Sequence, residues 1–290
     1  MDIFAASVVS ILFHGLAYGM ILYAISVGLS ITMGLMGFVN LAHGVFAMAG
    51  GYLMITAMTR LGLPWLAALA LACILVALAS VVLERTLYCR LYRAGELEQV
   101  LFTIGLIFIA VALARLAYGP LPQTAPLPDY LKGQIELADR TFPVYRAAVI
   151  ASSAVLIAIL WIGLERTRWG AMVRAAVDNG PMAESVGINT GRLFTFTFAL
   201  GSGLAAFGGA LGADLIAMTP TYPFEQLVYF LIVVAVGGLG TLRGPFLGAL
   251  LIGVGDTACK YWVPQFGSFF IYAATMALLL WRPRGLLGRA

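Results

Sequence analysis

Charged residues are scarce in this 290-residue chain, making up 10% of it against about 25% in an ordinary soluble domain. A soluble fold of this length covers itself with polar side chains, so a chain this poor in them must place most of its surface against lipid. The scarcity is also uneven. Between Ile3 and Thr59 there is no Asp, Glu, Lys or Arg, and at about 20 apolar residues per crossing that run holds two spans and a joint. Further charge-free runs extend over Leu61 to Leu83, Gln99 to Ala114, Ala147 to Leu164, Leu193 to Ala213, Gln226 to Leu242, Gly244 to Gly255 and Tyr261 to Trp281. They are helical, because a transmembrane barrel alternates apolar and polar residues and these runs do not.

Other absences exclude chemistry. Three cysteines are too few for a disulfide scaffold, and Cys73 and Cys259 read as small packing residues in or beside spans. A phosphate-binding P-loop needs a lysine after glycine, but Lys132 follows Leu131 and Lys260 follows Cys259. His14 and His43, the only histidines, have no companions that would make a metal site. Gly201, Ser202 and Gly203 lack the spacing of a hydrolase nucleophile elbow. The first span lacks the basic start of a signal peptide and is read as uncleaved. Carriers coupled to protons or sodium place ionisable groups deep in the membrane. Here Asp214 and Asp256 are assigned to span ends and Glu84, Glu165 and Arg115 to boundaries, which argues against ion coupling, although unwound carbonyls could still hold sodium. Energy for uphill movement must then come from another chain.

The basic residues set an orientation. Arg85, Arg90 and Arg93 fall in one connection, Arg166, Arg168, Arg174 and Arg192 in another, and Arg282, Arg284 and Arg289 in the tail. With Arg243 these form the majority of the 17 basic residues, so the positive-inside rule places them and the C-terminus in the cytoplasm. Counting back gives about eight to nine crossings, with the N-terminus outside if 34–59 crosses fully. Trp65, Trp161, Trp169, Trp262 and Trp281 fall near expected span ends, as an interfacial belt would.

Glycine is abundant, at 33 residues, and clustered. One cluster runs from Gly28 to Gly51 and makes 34–59 a broken or re-entrant segment; the other runs from Gly237 to Gly255. Two such segments near opposite ends of a chain point to a repeat whose broken helices line a midplane path. Close helix packing is the other reading, because Gly240, Gly244 and Gly248 recur every fourth residue, as do Gly201, Ala205, Gly209 and Ala213. Asn40 and His43 either fix the broken helix by hydrogen bonds or offer donors to a solute carboxylate at a half-helix N-terminus. The outside stretch from Gly119 to Pro143, with five prolines, is expected to be extended and solvated. It is either a plain linker or part of a docking surface.

The longest inside connection, Glu165 to Arg192, contains a short helix. Pro181 suits its first turn, Asn179 or Gly180 its cap and Gly187 its end. Met182, Ala183 and Val186 are expected on one side, with Glu184 and Ser185 toward water or a partner. A short helix held between two spans can fit a groove on a cytoplasmic protein.

Three stretches carry a resemblance. Arg174-Ala-Ala-Val-Asp178-Asn-Gly-Pro-Met182-Ala183-Glu184-Ser-Val186-Gly187-Ile-Asn189 resembles the coupling-helix region of permease subunits of branched-chain amino acid ABC transporters. Gly28-Leu-Ser-Ile-Thr-Met-Gly34-Leu-Met-Gly37-Phe-Val-Asn40-Leu-Ala-His43-Gly44 resembles their N-terminal signature and points to the first of two paralogous permeases. Gly237-Gly-Leu-Gly240-Thr-Leu-Arg-Gly244-Pro-Phe-Leu-Gly248 resembles their C-terminal glycine motif. The resemblance covers nearly the whole chain. It implies an all-α, polytopic integral membrane protein of the prokaryotic inner membrane with an inverted-repeat architecture. Residues 1–290 then form a single transmembrane permease domain, with a cytoplasmic coupling segment at 165–192 and a periplasmic loop at 115–146.

The implied partners are a paralogous second permease, two cytoplasmic ATPase subunits that use ATP and Mg, and an external substrate-binding protein. No cofactor is implied on this chain, and no catalytic residue. Arg174, Asp178, Met182, Ala183, Glu184, Val186, Gly187 and Asn189 are the implied ATPase contacts. Gly37, Asn40, His43, Gly44, Gly240 and Gly244 are the implied translocation path. The order Ala183-Glu184-Ser185 departs from the Glu-Ala-Ala wording of better-known importers, so the role transfers by position. A stand-alone channel or secondary carrier for a small neutral solute such as urea is the alternative.

Overall fold

The computed structural model describes residues 3–92, 94–137, 140–238, 240–282 and 285–287. Arg93, Arg284 and Arg289, used above to orient the chain, lie outside them. The described residues contain α1 (Ile3–Met36), α2 (His43–Thr59), α3 (Trp65–Thr86), α4 (Glu96–Tyr118), α5 (Val144–Arg166), α6 (Arg168–Asp178), α7 (Gly180–Ser185), α8 (Thr190–Gly212), α9 (Tyr222–Gly237), α10 (Arg243–Trp262) and α11 (Gly267–Trp281). The first charge-free run, Ile3 to Thr59, holds α1, a joint and α2, and each of the others lies largely within one helix. Ser7–Met36, α3, α4, α5 and α8 are long and apolar enough to cross a membrane, and α9 and Phe269–Trp281 are shorter apolar helices. Large apolar side chains such as Ile74 and Leu78 on α3, Phe108 and Ile109 on α4, and Ile159 and Ile162 on α5 face outward. An outer surface of that kind is stable only in lipid. The protein is a multi-pass membrane protein.

Glycine dictates how the bundle closes. α1 and α8 run antiparallel through the centre: Ile21 meets Gly208 and Gly212, and further along α1, Gly28 meets Gly201. A Cβ on Gly28 would overlap the Gly201 backbone, so the two helices approach at backbone distance. α2 crosses α8 in the same way, Gly50 lying on Ala206 and Gly209 on Ala47. The spacing of small residues every fourth position therefore serves helix packing.

The contact pattern is two-fold. α1 packs against α9 and α10, and α8 packs against α2 and α3. Each central helix is thus flanked by the two helices that follow the other one, and since α1 and α8 are antiparallel the two groups are inverted. In both groups the central helix is followed by a joint and a short helix: 37–42 before α2, and 213–221 before α9. Gly37, with φ +59°, ends α1 in the left-handed region where glycine costs least.

Several expectations need correction. The stretch 119–143 is not solvated throughout, because β1 (Gln134–Leu137) and β2 (Arg140–Pro143) pair antiparallel with Gln134 opposite Pro143, and Ala125 and Leu131 are buried. Phe142 is buried there against Phe13, ring centroids 4.5 Å apart, and Gln123 bridges to Met218 by two backbone hydrogen bonds. A hairpin satisfies backbone groups that an open linker would leave to water. Trp65 is buried beside Tyr145 and so does not face a lipid interface, while Trp169 lies on α6 against Phe196. Glu84 marks the end of α3 as expected, two residues before its last, whereas Asp256 lies inside α10 and not at a span end. Each is only 2% exposed, within α3 and α10.

Candidate translocation and coupling sites

The first site is where the two joints meet. Gly44, in the first turn of α2, lies against Pro223, in the first turn of α9; a Cβ on Gly44 would stand 3.1 Å from Pro223 Cα. Two helix N-termini therefore converge inside the bundle, each bringing the positive end of its dipole, although the first N–H groups of α9 are already held by its own joint, Tyr222 by the Thr219 carbonyl and Phe224 by that of Thr221. Asn40 and His43 are buried at the α1–α2 joint. Asn40 Oδ1 accepts from the Tyr88 hydroxyl at 3.2 Å, and His43 Nε2 donates to the Ile25 carbonyl at 2.9 Å. Both side chains thus tie the joint to neighbouring elements. The Tyr222 hydroxyl at the start of α9 is buried with no partner among the described residues.

The remaining path residues lie elsewhere. Gly240, with φ +72°, packs on Gly34 and donates its N–H to the Ser30 carbonyl at 3.2 Å. Gly244 packs on Gly237, closing the α9–α10 corner. Gly240 also lines a cavity of about 300 Å³ with Arg174, Val177 and Arg243. The structure thus gathers Gly37, Asn40, His43 and Gly44 at one joint, and Gly240 and Gly244 at the end of the bundle that carries α6 and α7.

The second site is α7. Asn179 caps it, accepting from the Met182 N–H at 3.0 Å, with Pro181 in the first turn. The helix stops because Gly187 takes φ +89° while the N–H of Ile188 returns to the Ala183 carbonyl at 3.0 Å. Asn189 then caps α8, accepting from the Arg192 N–H at 2.9 Å. Met182, 61% exposed, and Val186, 69% exposed, stand out from the protein, whereas Ala183 is buried. The expectation of all three on one side is therefore wrong for Ala183, which seats α7 on the bundle. Glu184 accepts from the Thr190 hydroxyl at 2.5 Å and so braces α7 against α8. Arg174, on α6, donates to the Leu164 carbonyl, and Gly170 packs on Leu164, so α6 folds tightly back on α5.

Residues 11–279 match the family described as branched-chain amino acid transport system / permease component. The chain belongs to this family. Its members are transport subunits of ABC systems, not enzymes. Similar proteins include the high-affinity branched-chain amino acid transport system permease protein BraD of Pseudomonas aeruginosa, 26% identical over 96% of this chain and 95% of BraD. The permease proteins LivH of Salmonella typhimurium and of Escherichia coli K12 are each 26% identical over 96% of this chain and 94% of their own. No solved structure matches.

This permease has a third feature, which no motif in the sequence marks. A cavity of about 390 Å³ lies between α1, α5, α9 and α10, lined among others by His14, Tyr18, Arg146, Gln226, Asp256 and Lys260. In the sequence Asp256 reads as a span end because it closes the charge-free run Gly244 to Gly255, and Lys260 follows it by four residues. That same spacing was the available signal, since it puts both on one face of α10. Nearby, in the α8–α9 joint, burial pushes the Asp214 carboxyl above its ordinary value and the Arg146 guanidinium draws it partly back. Glu84 forms a separate buried node, accepting from Tyr92 at 2.5 Å and Thr195 at 2.8 Å and linking α3 to α8. Among the described residues no group of three or more His, Cys, Asp or Glu could hold a metal.

Proposed function

We propose that the chain is the first of two paralogous permeases in an ATP-driven importer of branched-chain or related amino acids, working by alternating access. Its partners are the second permease, two cytoplasmic ATPases that bind ATP and Mg, and an external binding protein that delivers the solute. The observation that carries this reading is α7: a capped helix of six residues that turns two apolar side chains, Met182 and Val186, away from the bundle. Leaving both bare costs free energy unless a partner covers them. In this reading the α6–α7 end is cytoplasmic, the N-terminus and the β1–β2 hairpin are outside, and the membrane is the inner membrane of a prokaryote.

The path runs past the convergent N-termini of α2 and α9, where the Gly37 and Gly44 backbone and the Asn40 and His43 side chains shape the way. It leaves beside Gly240 and Gly244. The chain holds no nucleotide itself, and Arg174, Asp178 and Asn189 hold the coupling segment in position. Co-expression with the three partner types tests the proposal. A stable assembly that takes up leucine only with ATP is expected. Leucine or urea flux through this chain alone in vesicles would overturn it.

A further inference from the structure

The cavity lined by Asp256 has an excess of hydrogen-bond acceptors without donors. Asp256 is 2% exposed. Its Oδ2 accepts from Lys260 Nζ at 2.7 Å, but its Oδ1 is buried with no partner among the described residues. Gln226 and His14 line the same cavity, and Gln226 Oε1 and His14 Nδ1, the latter a donor or an acceptor according to tautomer, are also buried with no partner among the described residues. A buried acceptor left unpaired is costly, and a carboxylate oxygen most of all. Two such oxygens on residues that line one cavity call for a ligand that brings several N–H donors. Water brings only two donors and no charge, whereas a protonated amine brings three and a positive charge.

The opposite charge is also provided. Arg146 lines the cavity from α5, beside Asp214 of the α8–α9 joint, and Lys260 contributes a second cation with its side chain half in solvent. Guanidinium is the side chain best suited to a carboxylate, which it holds by two parallel bonds. Leu215, Ile216 and Tyr18 supply apolar or aromatic surface between the two ends. A volume of about 390 Å³ is ordinary for a small-molecule site.

We infer that this cavity is a binding site for the charged head of a free α-amino acid, with Asp256 Oδ1 and Gln226 Oε1 taking the ammonium and Arg146 the carboxylate. The inference rests on the importer reading and deepens it. Selectivity for amino acids over other solutes is then partly written in this chain. The site lies in the half of the bundle that carries the β1–β2 hairpin, next to the α8–α9 joint, so solute would meet it before the convergent helix N-termini.

The test uses the assembled transporter in nanodiscs without its binding protein, so that any occupancy belongs to the permeases. Ile216→Cys, placed in a chain whose Cys73, Cys89 and Cys259 are serine, reports the cavity by its rate of reaction with a water-soluble maleimide. L-Leucine is expected to slow labelling, and 4-methylpentanoate, which lacks the ammonium, to need about tenfold or more higher concentration for the same effect. Asp256→Asn should abolish that preference and Arg146→Gln should weaken leucine protection. Gln226→Leu, which leaves no charge unpaired, should weaken it even if Asp256→Asn fails to assemble. Labelling unaffected by leucine, in a transporter that takes up leucine when the binding protein is added, would overturn the site and leave the importer reading standing. Protection by sodium in place of leucine would also overturn it. An assembled transporter that takes up no amino acid would defeat the importer reading instead.

Discussion

Asn40 and His43 show how a polar residue in an apolar run is to be weighed. Each costs free energy inside lipid unless it is hydrogen-bonded, and each has a partner from another element, Tyr88 and Ile25. Asn40→Ala would leave the buried Tyr88 hydroxyl without its acceptor, an expected loss of about 1 to 3 kcal/mol. His43→Ala would release the Ile25 carbonyl and open a hole beside Phe46. Both variants should therefore melt earlier in detergent and accumulate less in the membrane, while the surviving protein keeps its ranking of leucine, isoleucine and valine. A changed ranking would assign these side chains to contact with solute. Glu84 and Asp256 teach the opposite lesson, since charge spacing along the chain gives no sign that both are buried. One acid has two hydroxyl donors and the other keeps an unpaired oxygen, and only the second suggests a ligand.

Among the elements, α7 was legible almost completely. Asn179, Pro181 and Gly187 mark cap, first turn and stop, and each does so by a local rule that needs no tertiary contact. Which side of α7 faces the bundle was not legible, because a helix of six residues has too few positions to show an apolar stripe. Asn179→Ala should loosen α7 by about 1 kcal/mol and lower the coupling of ATP hydrolysis to uptake. Replacing Met182 and Val186 together with serine should leave the isolated permease as stable as before, since both are exposed, and lower ATPase co-purification. Unchanged co-purification would remove α7 from the ATPase contact. The β1–β2 hairpin was not foreseen, because prolines dominate its surroundings and strands of four residues leave little alternation to read.

At the scale of the whole molecule, orientation is open to a direct check. Cys89 is exposed and follows α3 at the end that carries α6 and α7, and Tyr130 is exposed at the opposite end, near the hairpin. In intact cells a membrane-impermeant thiol reagent should modify Tyr130→Cys and spare Cys89, which should react only after permeabilisation. The reverse pattern would invert the topology and put α7 out of reach of a cytoplasmic ATPase.

The sequence by itself determined the lipid environment, the helical runs, the short capped helix α7 and the family. These depend on composition, on runs of about 20 apolar residues and on local capping rules, all of which are properties of neighbours in the chain. The tertiary structure alone decided that α1 and α8 cross at Gly28 and Gly201, that the joints before α2 and α9 meet at Gly44 and Pro223, and that Asp256 faces His14, Arg146 and Gln226 across one cavity. Those residues are far apart in sequence, and glycines fit for close packing look alike whichever helix they meet. Only the closed bundle shows which partners they found and which polar atoms were left without one.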